Sequence, residues 1–420
     1  MTRSGIFKTG LVLLLVSIFG IVPPTFASND SMIELLKVLR DNGTITEDAY
    51  SVLVNSAAAD KERTDAQIEE AAEQKVAAVK ESTAAMKWAE KIKFKGDLRL
   101  RREYINNKPE NDDDRSRDRY RYRARLAATA DVLDNVQVGL GFASGNIDPR
   151  STNETFDDNF STKDARLDLA YAEWQMTDWA SLVGGKFVRK KYLWAPTDVL
   201  WDSDIRPEGI STHLENKNSL GTTFGNVGWW YVDELSSTSK DPSMYYGQIG
   251  QKYKSGDFFA TAAAAFYLFN DFENVTQAGN MINIDDDEDA LSFSVETGFN
   301  NAIFGKKFRL LGEYVHSSAD DDEEGFGVGF KLGDSKVKDK GTWQIKYIYA
   351  DLSENAFPNI FPDSDRFNGD TGMTAHEIEF QYAVAKNIIA VLDYYDAQQD
   401  KRNEPDDKQD RLQTDLVFKF

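Results

Sequence analysis

The side chains with the greatest chemical reach in this 420-residue sequence are arginines set two apart. The segment Tyr120-Arg121-Tyr122-Arg123-Ala124-Arg125-Leu126 carries three of them, and Asp97-Leu98-Arg99-Leu100-Arg101 adds two in the same rhythm. Residues two apart share one face of an extended strand. Arg121, Arg123 and Arg125 therefore form a row, and Arg99 and Arg101 on a neighbouring strand widen it into a patch. Arg166, Lys186 and Arg189 are later basic positions that extend it. Fixed positive charge along one wall attracts anions into any aqueous path beside it. The competing reading is that these arginines pair with Asp97, Glu103 and Asp168 and brace the wall.

A second set lies between Lys190 and Arg206, where Tyr192, Trp194 and Trp201 accompany Asp198, Asp202 and Asp204, with Glu208 just beyond. That many aromatics do not suit a solvated loop. Folded inward, the segment would set its acids against the arginines and create a transverse field. Catalysis has little to work with. His213, His316 and His376 are the three histidines, and no nucleophile elbow or HExxH motif accompanies them. No cysteine is present, which excludes disulfides and thiolate metal sites. No enzyme activity, cofactor or metal is expected. The acidic runs Asn111 to Asp114, Asp285 to Asp289 and Asp320 to Glu324 lack the glycine and glutamate spacing of a calcium loop. They read as solvated charge, with bridging of cations to lipopolysaccharide phosphates as the alternative. A net charge of −21 argues against nucleic acid as a partner.

The elements that must hold these residues change character along the chain. Arg3 and Lys8 precede an apolar run from Gly10 to Pro23, and Thr25-Phe26-Ala27 supplies small residues for cleavage. That order describes a secretory signal over residues 1–27. Residues 28–90 read as a helical periplasmic extension. Met32, Leu35, Leu36 and Leu39 fall on one face, Asn42-Gly43 stops the run, and Thr46 caps a second short helix with Tyr50, Leu53 and Val54. Ala72, Val76, Val79, Thr83 and Met86 follow the spacing of a coiled-coil seam. A loosely docked single helix is the other reading.

From residue 91 to 420 the period becomes two. Leu412, Thr414, Leu416, Phe418 and Phe420 oppose Gln413, Asp415, Val417 and Lys419, and Trp343, Ile345, Tyr347 and Tyr349 oppose Gln344 and Lys346. A packed sandwich core would not tolerate the repeated charges of one face. Aromatics gather at segment ends, at Trp174 and Trp179, Trp229 to Tyr231, Tyr245 and Tyr246, and Tyr394 and Tyr395. An apolar outside, a polar inside and aromatic girdles specify an all-β fold, a transmembrane antiparallel β-barrel. Requiring both ends on one side makes the strand number even, and alternating short and long connections place a weak strand at 207–215 and bring the total to sixteen. A barrel that wide leaves a water-filled lumen.

The opening strand Phe94-Lys95-Gly96-Asp97-Leu98-Arg99-Leu100-Arg101 and the closing Leu416-x-Phe418-x-Phe420 resemble those of Gram-negative outer-membrane porins. In particular they resemble the proteobacterial "putative porin" family with a helical N-terminal extension. That resemblance implies a homotrimer of sixteen-stranded barrels, with the third outer loop, here Lys190 to Arg206, folded into the lumen. It also implies that Leu416, Phe418 and Phe420 are the signal read by the barrel assembly machinery. The implied location is the outer membrane, in contact with lipid and lipopolysaccharide, and the implied cargo is small hydrophilic solutes and ions. Two alternatives remain open: an anion-selective channel for phosphate-like or carboxylate solutes, and a structural or adhesive barrel with a plugged lumen.

Overall fold

The structure, a computed structural model, describes residues 29–236, 240–272, 276–277, 280–281, 289–400 and 407–420. The export signal at residues 1–27 lies outside the described residues, as does most of the acidic run from Asp285 to Asp289. The chain divides into two units between Ala89 and Glu90.

The first unit is helical. Helix α1 (Asn29–Asp41) ends where Gly43 adopts φ +67 and returns its N–H to the Arg40 carbonyl at 2.9 Å. Thr46 caps α2 (Glu47–Glu90), its Oγ1 accepting the Ala49 N–H at 3.3 Å. The sequence suggests a short second helix, but α2 runs unbroken for 44 residues. No glycine or proline interrupts that stretch, so nothing in it costs enough to stop propagation. Of the seam side chains, those of Ala72 and Val76 are described, and both are exposed.

The second unit is a closed antiparallel barrel of sixteen strands. Its first half is β1 (Ile92–Lys108), β2 (Arg115–Leu133), β3 (Val136–Ala143), β5 (Arg166–Thr177), β6 (Ala180–Lys186), β7 (Glu208–Asn218), β8 (Gly221–Tyr231) and β9 (Ser243–Ser255). The second half is β10 (Phe258–Asn270), β13 (Ala290–Ile303), β14 (Lys306–Ser317), β15 (Glu324–Gly333), β16 (Trp343–Leu352), β17 (Met373–Ala385), β18 (Ile388–Gln399) and β19 (Lys408–Lys419). Three two-residue strands, β4 (Glu154–Thr155), β11 (Thr276–Gln277) and β12 (Asn280–Met281), lie in the long connections. The weak strand expected at 207–215 is β7, paired with β6 and β8 on its two sides.

Closure joins β1 to β19 in register from Asp97↔Lys419 to Lys108↔Lys408. Phe420 completes the seam: its carbonyl accepts the Gly96 N–H at 2.9 Å, and its N–H donates to the Gly96 carbonyl at 3.0 Å. The Phe420 ring lies where a Cβ on residue 96 would stand, 2.5 Å from Cε2, so only glycine fits there. A barrel without an edge satisfies every wall amide where lipid offers no hydrogen bonds. In β19, Gln409, Arg411, Gln413 and Asp415 are buried inward while Leu412 stays 39% exposed.

The girdle expectation needs one correction. Trp229, Tyr245 and Tyr394 face outward, and the Trp229 and Tyr245 rings stack at 5.7 Å. Trp230, Tyr246 and Tyr395, their chain neighbours, are turned inward and buried. Strand alternation sends adjacent residues to opposite faces, so a run of aromatics cannot all join the girdle.

Candidate functional site

Strands β1, β2 and β19 build the charged wall. Their register sets Arg99 opposite Arg123 and Arg101 opposite Arg121, with Arg101 also facing Asp415. Period two points all of these side chains into the lumen, and each cation meets an acid or a carbonyl. Arg123 and Arg125 share Asp97 at 2.7 and 2.8 Å. Arg119 contacts Glu103, and Arg121 lies 3.7 Å from it. Arg101 grips Asp415 with two bonds of 2.8 Å, and Arg99 donates to Asn153 Oδ1 at 2.5 Å. The row is thus both a line of fixed charge and a brace.

The segment joining β6 to β7, residues 187–207 (loop 3), folds into the barrel. Phe187, Tyr192, Leu193, Val199, Leu200 and Trp201 are each at most 2% exposed, which explains the direction: their apolar area finds cover inside. Trp201 Nε1 donates to the Tyr267 hydroxyl at 3.3 Å. The loop acids then separate. Asp204 reaches the wall, accepting from Arg125 at 3.0 Å and from Thr152 Oγ1 at 3.1 Å. Burial opposes its charge, but Arg123 and Arg125 outweigh burial and hold its carboxyl well below the usual range. Asp198 points the other way, to Arg366 at 2.7 Å.

Asp202 meets neither group. Its N–H donates to the Phe361 carbonyl at 2.7 Å, and its carboxylate accepts the Ser364 N–H at 3.3 Å. Its partner is a second inward segment, residues 353–372 between β16 and β17 (loop 7). Phe357, Ile360 and Phe361 are buried against Trp201, and Asp365 docks on the wall between Arg411 at 2.6 Å and Arg101 at 3.5 Å. Arg366, 1% exposed, contacts Glu377, which also contacts Lys346 of β16. Arg150 ties the segment after β3 to loop 7 through the Asn359 carbonyl at 2.7 Å.

Five expected positions sit elsewhere. Arg189 belongs to the root of loop 3, not to the wall, because β6 stops at Lys186. It is buried and donates to the Leu193 and Trp201 carbonyls at 3.2 and 3.3 Å. Lys186 and Glu208 pair with each other at 2.6 Å on the outward side, in step with the exposed Ile210 two residues on. Arg166 stands at the rim, bonded to the Gly145 carbonyl at 3.1 Å. Asp168 pairs with Arg206 of loop 3 at 3.5 Å. Loop 7 was legible by the argument that served loop 3, since Phe357, Ile360, Phe361 and Phe367 are too apolar for a solvated connection.

Between the wall and the two loops lies a cavity of about 230 Å³, bounded by Arg99, Arg101, Arg123, Asp204, Asp365 and Asp415 among others. Most of its lining is polar. Opposite charges face each other across it, an arrangement that orients dipolar solutes and makes apolar ones pay for desolvating fixed charge.

The family model described as "Putative porin" matches residues 104–296 and 288–420. No curated protein matches the chain. Among solved structures, OprB of Pseudomonas putida superposes with a TM-score of 0.53 at 13% identity, covering 79% of this chain and 96% of OprB. The channel DcaP of Acinetobacter baumannii gives 0.48 at 16% identity over 78% of this chain and 97% of DcaP. OmpF of Salmonella typhi, solved with daunomycin, gives 0.46 at 10% identity over 78% of this chain and 97% of OmpF.

Proposed function

The chain belongs to the "Putative porin" family of outer-membrane channels, and from that premise we propose that it lets small hydrophilic solutes and ions diffuse passively through the passage between the arginine wall and loops 3 and 7. The observation that carries this reading is the charged cavity of about 230 Å³ inside a closed barrel whose outer face is apolar. No bond is made or broken in the process. Selection comes from width and wall charge, and the family gives no reason to expect turnover.

In this reading residues 1–27 direct export and are removed, and residues 28–90 form a periplasmic module apart from the barrel at 91–420. Leu416, Phe418 and Phe420 present the closing strand to the assembly machinery, and the mature protein is a homotrimer among lipid and lipopolysaccharide. The arginine row supports a second, narrower reading, an anion-preferring path along Arg99, Arg101, Arg121, Arg123 and Arg125. Swelling of liposomes carrying the purified protein tests the main reading. Swelling in small sugars that slows with solute size is expected, and no swelling in any solute would overturn it.

A further inference from the structure

A second cavity, of about 240 Å³, shares Asp198, Ser203 and Lys346 with the first and is otherwise bounded by loop 3 and strands β15 and β16. Its charge is one-sided. Arg189, Lys190, Arg206, Lys331 and Lys346 line it against the single carboxylate of Asp198. That carboxylate is taken by Arg366 at 2.7 Å, Lys346 by Glu377, and Arg206 by Asp168 at 3.5 Å.

Three positive groups remain. Among the described residues no carboxylate stands within ion-pair distance of Lys190, Lys331 or Arg189. Arg189 is 8% exposed, and its Nε has no hydrogen-bond partner. A buried donor left open costs free energy unless something fills it. Cations drawn together in this way repel one another, and an anion between them would relieve that repulsion.

The rest of the lining narrows the choice of anion. Val188, Ala195 and Pro196 supply apolar surface beside the charges. Bare phosphate gains nothing from such a floor, whereas a carboxylate with a hydrocarbon body gains at both ends. The volume falls below the roughly 300–1,000 Å³ of sites for drug-sized molecules. We propose that this chamber is a binding site for a small organic carboxylate, held by Lys190 and Lys331 with its apolar body against Val188, Ala195 and Pro196. The inference rests on the channel reading for the ligand's route of entry, but binding itself does not require conduction.

Benzoate is the probe, titrated calorimetrically into the detergent-purified full chain, with benzamide and inorganic phosphate beside it. Saturable benzoate binding at one site is expected, with benzamide and phosphate at least tenfold weaker. Lys190→Gln with Lys331→Gln should weaken benzoate tenfold or more. Lys190→Gln alone, at an exposed position, should still weaken it severalfold if the double variant fails to fold. No saturable benzoate binding, equal binding of phosphate or benzamide, or affinity unchanged in the variants would each overturn the proposal. Conductance recorded on the same preparation separates the two readings: a silent bilayer with intact benzoate binding refutes the channel and leaves the site standing.

Discussion

The Trp201 indole and the Phe361 ring meet with centroids 4.5 Å apart and planes inclined by 31°, joining two loops from opposite halves of the chain. Around that contact Trp201 also meets Trp230 at 5.6 Å and Phe357 at 5.6 Å. One side of the lumen is therefore a packed apolar core, and the charged cavity lies on the other.

Replacing Trp201 by alanine removes the shared anchor of both loops. A buried tryptophan truncated in this way costs about 3–5 kcal/mol, so the thermal midpoint of the purified barrel should fall. Single-channel conductance should rise as the loops withdraw. A stable variant of unchanged conductance would show that the loops hold their place without the ring.

Arg123 tests the wall. Arg123→Glu sets a new acid beside Asp97 and leaves Arg125 as the sole partner of that carboxylate among the wall cations. The reversal potential under a salt gradient should move towards cations. Arg102→Glu, at an outward position paired with Asp118 at 2.7 Å, should leave it in place. Equal potentials in the wild type and the Arg123 variant would reduce the row to a brace.

Acidity should tighten the junction of the loops. Burial, and then the neighbouring charge of Asp198, push the Asp363 carboxyl up to about 7. Arg366 is already shared among Asp198, Glu377 and Asp363. Asp202 is also raised, first by burial and then by Asp363 and Asp204. A free aspartate titrates near pH ~3.9. Between there and about 7, docked loops hold protons that undocked loops release, so docking is strongest at the acid end of this window and weakens as pH rises through it. Current fluctuations should grow from pH 4 to pH 8, and Asp363→Asn should flatten the trend. Fluctuations that shrink as pH rises would contradict the sign.

Most of the barrel was legible in the sequence because strand alternation is a local property. Leu412 to Phe420 displays its two faces without reference to any other segment. Even β7, weak on its own, followed from the need for an even strand number. The lumen was harder to read. The inward turn of loop 3 showed in Trp194 and Trp201, yet the destinations of its acids depended on partners far along the chain. Asp204 found the arginine wall, whereas Asp198 and Asp202 found Arg366 and Ser364 of a loop that spacing alone does not bring near. Lys186 and Glu208 were misplaced for a simpler reason: β6 ends early, and its last residue falls on the outward parity.

The helical unit should prove dispensable for the barrel. Removing residues 28–90 deletes α1 and α2 and leaves every strand of the closed sheet in place. Such a protein should keep the heat-modifiable gel migration of a folded barrel. Loss of that shift would make the extension part of the folding unit.

A charged passage should remain open beside the joined loops. Single-channel recording of the wild-type protein in a planar bilayer, under a salt gradient, tests it most directly. Discrete current steps, linear in voltage and accompanied by a modest reversal potential, are the predicted result. A bilayer that stays silent with demonstrably inserted protein would mean that loops 3 and 7 close the lumen, and the barrel would have to be read as structural.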